Sequence, residues 1–256
     1  MDLLHYSESG NGEPLVILHG LFGSSKNWQS LARLFSQHFR VFTLDLRNHG
    51  QSFHGDEMNY AVMAEDVYRL LGHLGIDSCS LIGHSMGGKT AMLLALEHPQ
   101  LVSKLVVADI APVAYSHAYH QLLNPIMALA LNKMNSRAAV DEALRKDIPD
   151  TLLRNFLLQN LERKAEQWRW KVNWSAIDRQ IGNLTGFSDL PADWKINTPT
   201  HFIRGENSDY IDDRGEAEIT AHFENATIIT VKNAGHWLHA EQPEKFFQLV
   251  LEFLSY

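Results

Sequence analysis

A serine turns nucleophilic when the chain projects its hydroxyl from a tight turn and a base stands within reach, and one stretch has the residue types for that. Leu81-Ile82-Gly83-His84-Ser85-Met86-Gly87-Gly88 runs from an apolar β-type segment through Gly-x-Ser-x-Gly into a segment of helical periodicity. Small residues at 83 and 87 keep Cβ atoms out of the crowded strand-to-helix turn, while Ser85 sits beside the positive end of the following helix. A serine hydroxyl is a weak nucleophile at its ordinary pKa, so the chemistry requires a histidine base, and the base requires a third group to orient it. Of 14 histidines, His236 is preferred, because Asn233-Ala234-Gly235-His236-Trp237 lies after the last β-type run and before the closing helix. Chain order Ser, acid, His places the base there. His239 is the weaker candidate, and His19 and His84 are assigned to hydrogen bonds around the site loops. An oxyanion needs main-chain N–H groups preset where charge develops. One belongs to Met86; the other comes from His19-Gly20-Leu21-Phe22-Gly23, where Leu21 is favoured and Phe22 is the alternative.

These groups are far apart in the chain and need a scaffold that gathers them on one edge. Apolar β-type runs at 15–18, 41–44, 79–82 and 105–108 lack strict polar alternation, as strands of a parallel sheet covered on both faces do. Longer amphipathic stretches fall between them, which reads as βαβ units. Residues 86–97 carry Ala91, Leu94 and Ala95 at helical spacing, and Pro99 stops them. From 112 to 190 the strand signals give way to Leu-rich and Trp-rich sequence of helical type, for example Leu152, Leu153, Phe156, Leu157 and Leu161. Strand signals resume at 200–203 and 227–231, and a helix with Phe246, Leu249, Val250 and Phe253 on one stripe closes the chain. The expected organisation is an α/β core of 1–111 and 191–256, interrupted by a helical cap at 112–190.

The whole-chain properties narrow the partners. With 256 residues, 45% apolar and 20% charged, the chain is globular rather than disordered, collagen-like or coiled-coil. A net charge of −8 argues against a nucleic-acid partner. The single cysteine, Cys79, excludes an intramolecular disulfide framework and fits a reducing compartment. No apolar window approaches the roughly 18 residues of a membrane span, and residues 1–10 carry Asp2 and Glu8, so a soluble, unexported, cytoplasmic protein is expected. His117 and His120 form an i, i+3 pair with no neighbouring carboxylate or thiolate to complete a zinc set, so no metal site is expected.

His19-Gly20, the run Asp45-Leu46-Arg47-Asn48-His49-Gly50-Gln51-Ser52, the turn around Ser85 and Gly235-His236 together resemble the α/β-hydrolase superfamily over essentially the whole chain. Leu21-Phe22-Gly23, Arg47-Asn48-His49-Gly50 and Asp109-Ile110-Ala111-Pro112 are similar to the small bacterial esterases of the YbfF type, which are related to a mitochondrial abhydrolase group. The resemblance implies an α/β-hydrolase fold with a helical lid inserted after the sixth strand. It implies a serine esterase acting on small-molecule acyl esters, with fatty acyl-CoA thioesters also in range, and no metal or organic cofactor. The acid departs from the common superfamily pattern. Gly-x-x-Asp is expected after the seventh strand, but Arg204-Gly205-Glu206-Asn207-Ser208-Asp209 puts Ser208 in the acid's usual place. Asp109, at the carboxyl end of a strand, is preferred as the acid, with Ser208 helping to orient His236 and Asp209 as the alternative.

Trp168, Trp170, Trp174 and Trp194, with Met127 and Met134, are candidates to line an apolar acyl pocket, although such positions at helical spacing more often pack in a core. Residues 112–190 hold 10 Lys and Arg against 8 Asp and Glu, and Lys164, Arg169 and Lys171 fit either an anionic head group or a solvated face. Arg47 fits either the site mouth or a loop-holding ion pair. Two other functions share these residues: a carbon–carbon bond hydrolase of the same fold, and a non-catalytic ligand receptor.

Overall fold

The computed structural model describes residues 2–116, 119–165, 167–187, 190 and 192–255. In chain order the strands are β1 (Tyr6–Ser9), β2 (Pro14–Leu18), β3 (Arg40–Leu44), β4 (Cys79–His84), β5 (Val102–Ala108), β6 (Leu161–Lys164), β7 (Gln167–Trp170), β8 (Thr200–Gly205) and β9 (Ala226–Val231). Seven of them form one sheet in the order β1-β3-β2-β4-β5-β8-β9. Every pairing in it is parallel except β1 with β3, so the sheet is mostly parallel, as the apolar runs imply.

The helices are α1 (Gln29–Phe35), α2 (Tyr60–His73), α3 (Met86–Glu97), α4 (Tyr119–Met127), α5 (Arg137–Leu144), α6 (Thr151–Leu158), α7 (Trp174–Thr185), α8 (Asp213–His222), α9 (Leu238–Glu241) and α10 (Pro243–Ser255). They cover the sheet on two sides. Leu15, Ile17, Val41, Ile82 and Val106 pack with Phe35 of α1 and Phe246 and Val250 of α10. The alternate residues Val16, Leu18, Phe42, Leu44 and Leu81 pack with Val67 and Leu71 of α2 and Leu93 of α3. Each such fully buried side chain contributes roughly 1.5–3 kcal/mol. α3 has almost no exposed face, because it lies between the sheet, α2 and the segment that follows β5. β4 occupies the middle of the sheet, so whatever emerges from its carboxyl end faces the centre of one sheet edge.

Two sequence expectations change here. Counted along this chain, the segment between β5 and β8 follows the fifth strand, not the sixth, because only two strands precede the first helix among the described residues. That segment is also not purely helical. β6 and β7 form an antiparallel hairpin pairing Leu161 with Trp170 and Arg163 with Trp168. Exposure alternates along β7 but not β6, and the seven-residue step from Leu161 to Trp168 fits helical periodicity as well. β1 escapes sequence reading because it is a polar edge strand with no apolar run. Among the described residues no helix is long and apolar enough to cross a membrane.

Candidate active site

Ser85 stands between β4 and α3 with φ 51° and ψ −116°, a conformation that L residues rarely adopt. The surroundings over-determine it. A Cβ on Gly83 would lie 2.3 Å from the Gly87 carbonyl oxygen, and one on Gly87 would lie 2.5 Å from that of His19. The turn therefore closes against the end of β2, and only glycine allows the approach. Strain of this kind costs about 1–3 kcal/mol and persists only where packing enforces it. Phe22, Asn48, Asp109 and Asn233 also have positive φ, and each lies in a loop just past the carboxyl end of a sheet strand.

His236 lies in the loop between β9 and α9, and its Nδ1 donates to Asp109 Oδ2 at 2.8 Å. Asp109 immediately follows β5 and is fully buried. Its other oxygen accepts from the Gly205 N–H at 2.9 Å, and the Ser208 hydroxyl donates to Oδ2. Three donors thus converge on one desolvated carboxylate, which a buried charge requires. Asp209 is exposed, and the partner of His236 is Asp109. With Nδ1 donating, Nε2 is the basic nitrogen of the neutral ring. His84 Nε2 donates to the His236 carbonyl at 2.8 Å, and the Tyr210 ring stacks on the imidazole at 3.8 Å. Tyr210 went unnoticed in the sequence, where nothing but its nearness to Ser208 marks it. His239 is buried behind this group, stacked on Trp28 at 4.3 Å, and burial pushes its imidazole down to about 3.

The loop after β2 separates the two oxyanion candidates. The Phe22 N–H donates to His49 Nε2 at 3.0 Å, so it is already committed. The Leu21 N–H has no acceptor among the described residues, and the Met86 N–H is the first of α3, which no helix satisfies internally. The loop is held from behind by two histidines of fixed tautomer. His49 Nδ1 donates to the Arg47 carbonyl at 2.9 Å; His19 Nδ1 donates to the Gly20 carbonyl at 2.8 Å, while its Nε2 accepts from the Leu46 N–H at 3.0 Å. Burial lowers both, His49 to about 3, so both are neutral acceptors near neutral pH. Arg47 belongs to the scaffold, gripping Asp66 through two bonds of 2.6 and 2.9 Å.

Ser85 and His236 line one cavity of about 330 Å³. Phe22, Trp28 and Trp237 form part of its apolar wall, and Tyr119, Leu122, Leu153 and Phe156 of the segment after β5 add to it. Trp168, Trp170, Trp174, Trp194, Met127 and Met134 are not among its lining residues. Trp174 instead supports Phe22 from behind at 5.1 Å, Trp170 meets Trp174 edge-on, and Trp194 stacks on His222. Lys164, Arg169 and Lys171 also lie off the cavity, and Arg169 is paired with Glu162. His120 pairs with Asp178 at 3.0 Å, and His117 lies outside the described residues. Burial pushes the Cys79 thiol up to about 12, which leaves it inert.

The comparisons with known proteins agree with this architecture. Residues 13–243 match the model of the alpha/beta hydrolase fold family. The sn-1-specific diacylglycerol lipase ABHD11 of Danio rerio is 38% identical, covering 98% of this chain and 81% of its own. The esterase YbfF of Escherichia coli strain K12 is 33% identical over 96% of this chain and 94% of its own. A solved marine microorganism esterase superposes with a TM-score of 0.95 at 40% identity, covering 99% of this chain and 100% of that one. A strained serine at the end of the central strand, with a carboxylate-bound histidine on the same cavity and a matching family model, places the chain in the α/β-hydrolase family.

Proposed function

We propose that the protein is a serine hydrolase of carboxylic esters. Ser85 Oγ attacks the ester carbonyl as His236 Nε2 takes its proton, and Asp109 fixes the tautomer and stabilises the imidazolium that forms. The Leu21 and Met86 N–H groups hold the oxyanion, a role in which one donor is worth about 3–4 kcal/mol. His236 then protonates the departing alcohol, leaving an acyl-Ser85 ester that water cleaves by the same steps. The observation that carries this reading is the 2.8 Å bond from His236 to buried Asp109 at the wall of the cavity that Ser85 shares. Relatives named as an esterase and a lipase support it.

In this reading residues 112–190 act as a cap. They bring Tyr119, Leu122, Leu153 and Phe156 over Ser85 and give the acyl chain an apolar wall that excludes water. Thioesters of acyl-CoA would follow the same steps with a thiol leaving group. The test is a panel of p-nitrophenyl esters of increasing acyl length beside acyl-CoA thioesters, with fluorophosphonate labelling. Turnover of esters and labelling that disappears in Ser85→Ala are the expected results. Absence of labelling and turnover in the folded protein would overturn the proposal and favour a ligand receptor. Turnover of vinylogous diketones in preference to esters would favour carbon–carbon bond hydrolysis.

A further inference from the structure

Among the described residues, Lys89 is a buried ionisable group that the mechanism does not use. Lys89 lies on α3, one turn past the nucleophile, where its own N–H bonds the Ser85 carbonyl at 3.1 Å. Its side chain is almost entirely buried. The amine donates to the carbonyl of Val113 at 2.7 Å and to the carbonyl of Gly186. Those two carbonyls flank residues 114–185, the segment that helps to wall the cavity, and Gly186 lies 97 residues from Lys89. The Tyr115 N–H joins the same ends by donating to the Thr185 carbonyl at 2.8 Å, and the Tyr60 hydroxyl donates to the Leu184 carbonyl at 2.5 Å. Rings of Tyr60, Tyr115 and Phe187 surround the amine at 5.4, 4.7 and 5.7 Å.

We propose that Lys89 is a positioning residue that latches both ends of residues 114–185 to the nucleophile helix and so sets where the segment's apolar wall stands over Ser85. This regulates the site whose chemistry is proposed above and rests on that reading for its kinetic consequence only. A neutral amine has two N–H donors, which matches the two carbonyls; protonation adds a third donor and a charge in an apolar place. Burial pushes the Lys89 amine down to about 7. The groups that face it are phenols: Tyr60, Tyr115, Tyr119 and Tyr210, all raised by burial and neutral at working pH. The groove beyond Gly186 and Phe187 adds one carboxyl, Glu97, raised by its own burial, and desolvation alone accounts for the shift on Lys89. Within the segment, His120 and Asp178 pair α4 with α7 at 3.0 Å.

The sign follows from linkage. When the latch opens and Lys89 meets water, its pKa returns toward 10.4, so the open state binds more protons between pH 7 and 10. Opening therefore becomes rarer as pH rises above 7. The experiment is deuterium exchange of the full chain at pH 6.5, 7.5 and 8.5, corrected for intrinsic rates, comparing peptides of 114–185 with strands β4 and β5. In the wild type, opening of the segment should fall about tenfold or more across that range relative to the strands. In Lys89→Met, which leaves both carbonyls without a donor, opening at pH 8.5 should exceed the wild type severalfold and lose its pH dependence. KM for a p-nitrophenyl ester should rise with it, more than kcat falls. A wild-type segment whose opening ignores pH, or a variant that loosens β4 and β5 equally, overturns the proposal. If the variant does not fold, the wild-type pH series decides alone. Exchange needs no substrate, so failure to turn over esters would leave this readout standing.

Discussion

At the scale of single residues, burial and donors favour one of two carboxylates as the proposed acid. Asp109 is fully buried and receives the His236, Ser208 and Gly205 donors, whereas Asp209 is exposed. A carboxylate in water adds little field at an imidazole; a desolvated one 2.8 Å away stabilises the imidazolium strongly. Asp109→Asn should therefore lower kcat by about 10⁴ while Asp209→Asn stays within a fewfold of the wild type. Steady-state hydrolysis of one p-nitrophenyl ester by both variants checks this, and equal losses would reject the assignment. Ser208→Ala should fall between them, near tenfold, because the Gly205 N–H and His236 still hold the carboxylate and a hydrogen bond to a charged group is worth about 1.5–3 kcal/mol. The loop after β2, proposed to hold the oxyanion, offers a second residue-scale test. His49→Leu removes the acceptor of the Phe22 N–H and frees the turn that presents Leu21. We expect kcat to drop by about 10-fold to 100-fold with KM little changed, since the lost alignment matters in the transition state. A rise in KM alone would place His49 in substrate binding instead.

At the scale of elements, local sequence signals lead most directly to the parts that pack on both faces. Apolar runs mark β2, β3, β4, β5, β8 and β9, and Gly83 and Gly87 mark the turn, because a close backbone approach leaves no alternative to glycine. A Cβ on Gly87 would meet the His19 and Leu18 carbonyl oxygens at 2.5 and 2.6 Å, so Gly87→Ala should cost on the order of 4 kcal/mol and abolish activity. A thermal melt near that of the wild type would contradict this. The strand end that bears Asp109 was legible too, since ligands gather at the carboxyl edge of an open sheet. What local patterning did not carry was pairing between distant parts. Lys89 reads as one more helix residue until Val113 and Gly186 arrive beside it, and Tyr210 reads as a loop aromatic until it stacks on His236. The tryptophans illustrate the same limit: Trp174 supports Phe22 from behind and Trp194 stacks on His222, while Leu153 and Phe156 face the cavity. Leu153→Trp should accordingly shift the preferred ester to shorter acyl chains, read as the ratio of kcat/KM between butyrate and octanoate esters. Met127→Trp, at an exposed position off the cavity, should leave that ratio alone.

At the scale of the whole molecule, the carboxyl edge of the sheet is built around neutral histidines. His19, His49, His84 and His239 are all buried there, and burial lowers the pKa of each, His49 and His239 to about 3. Their unprotonated nitrogens do structural work, as when His49 Nε2 receives Phe22 and His19 Nε2 receives Leu46. Protonation would turn each acceptor into a donor facing another donor, and it would place like charges side by side, since His84 lies 4.5 Å from His239 and 4.7 Å from His236. The direction of the stability change follows. In the unfolded chain each imidazole binds a proton below about pH 6.5, and in the fold it resists until about pH 3 for His49 and His239, so the unfolded state holds more protons across that window and stability is lost as the pH drops. At pH 5 each of these two should cost about 2 kcal/mol relative to pH 7.5, at 1.36 kcal/mol per pH unit below 6.5. Urea unfolding at pH 7.5 and 5.0 should therefore show a loss of several kcal/mol, large against the 5–15 kcal/mol that holds a typical domain together. His49→Leu should make that loss smaller by about 2 kcal/mol, because a leucine has no proton to take up. A stability that stays level between the two pH values, or a variant as acid-sensitive as the wild type, would mean that these rings are solvated and charged, and that the loop presenting Leu21 is held by something other than neutral imidazoles.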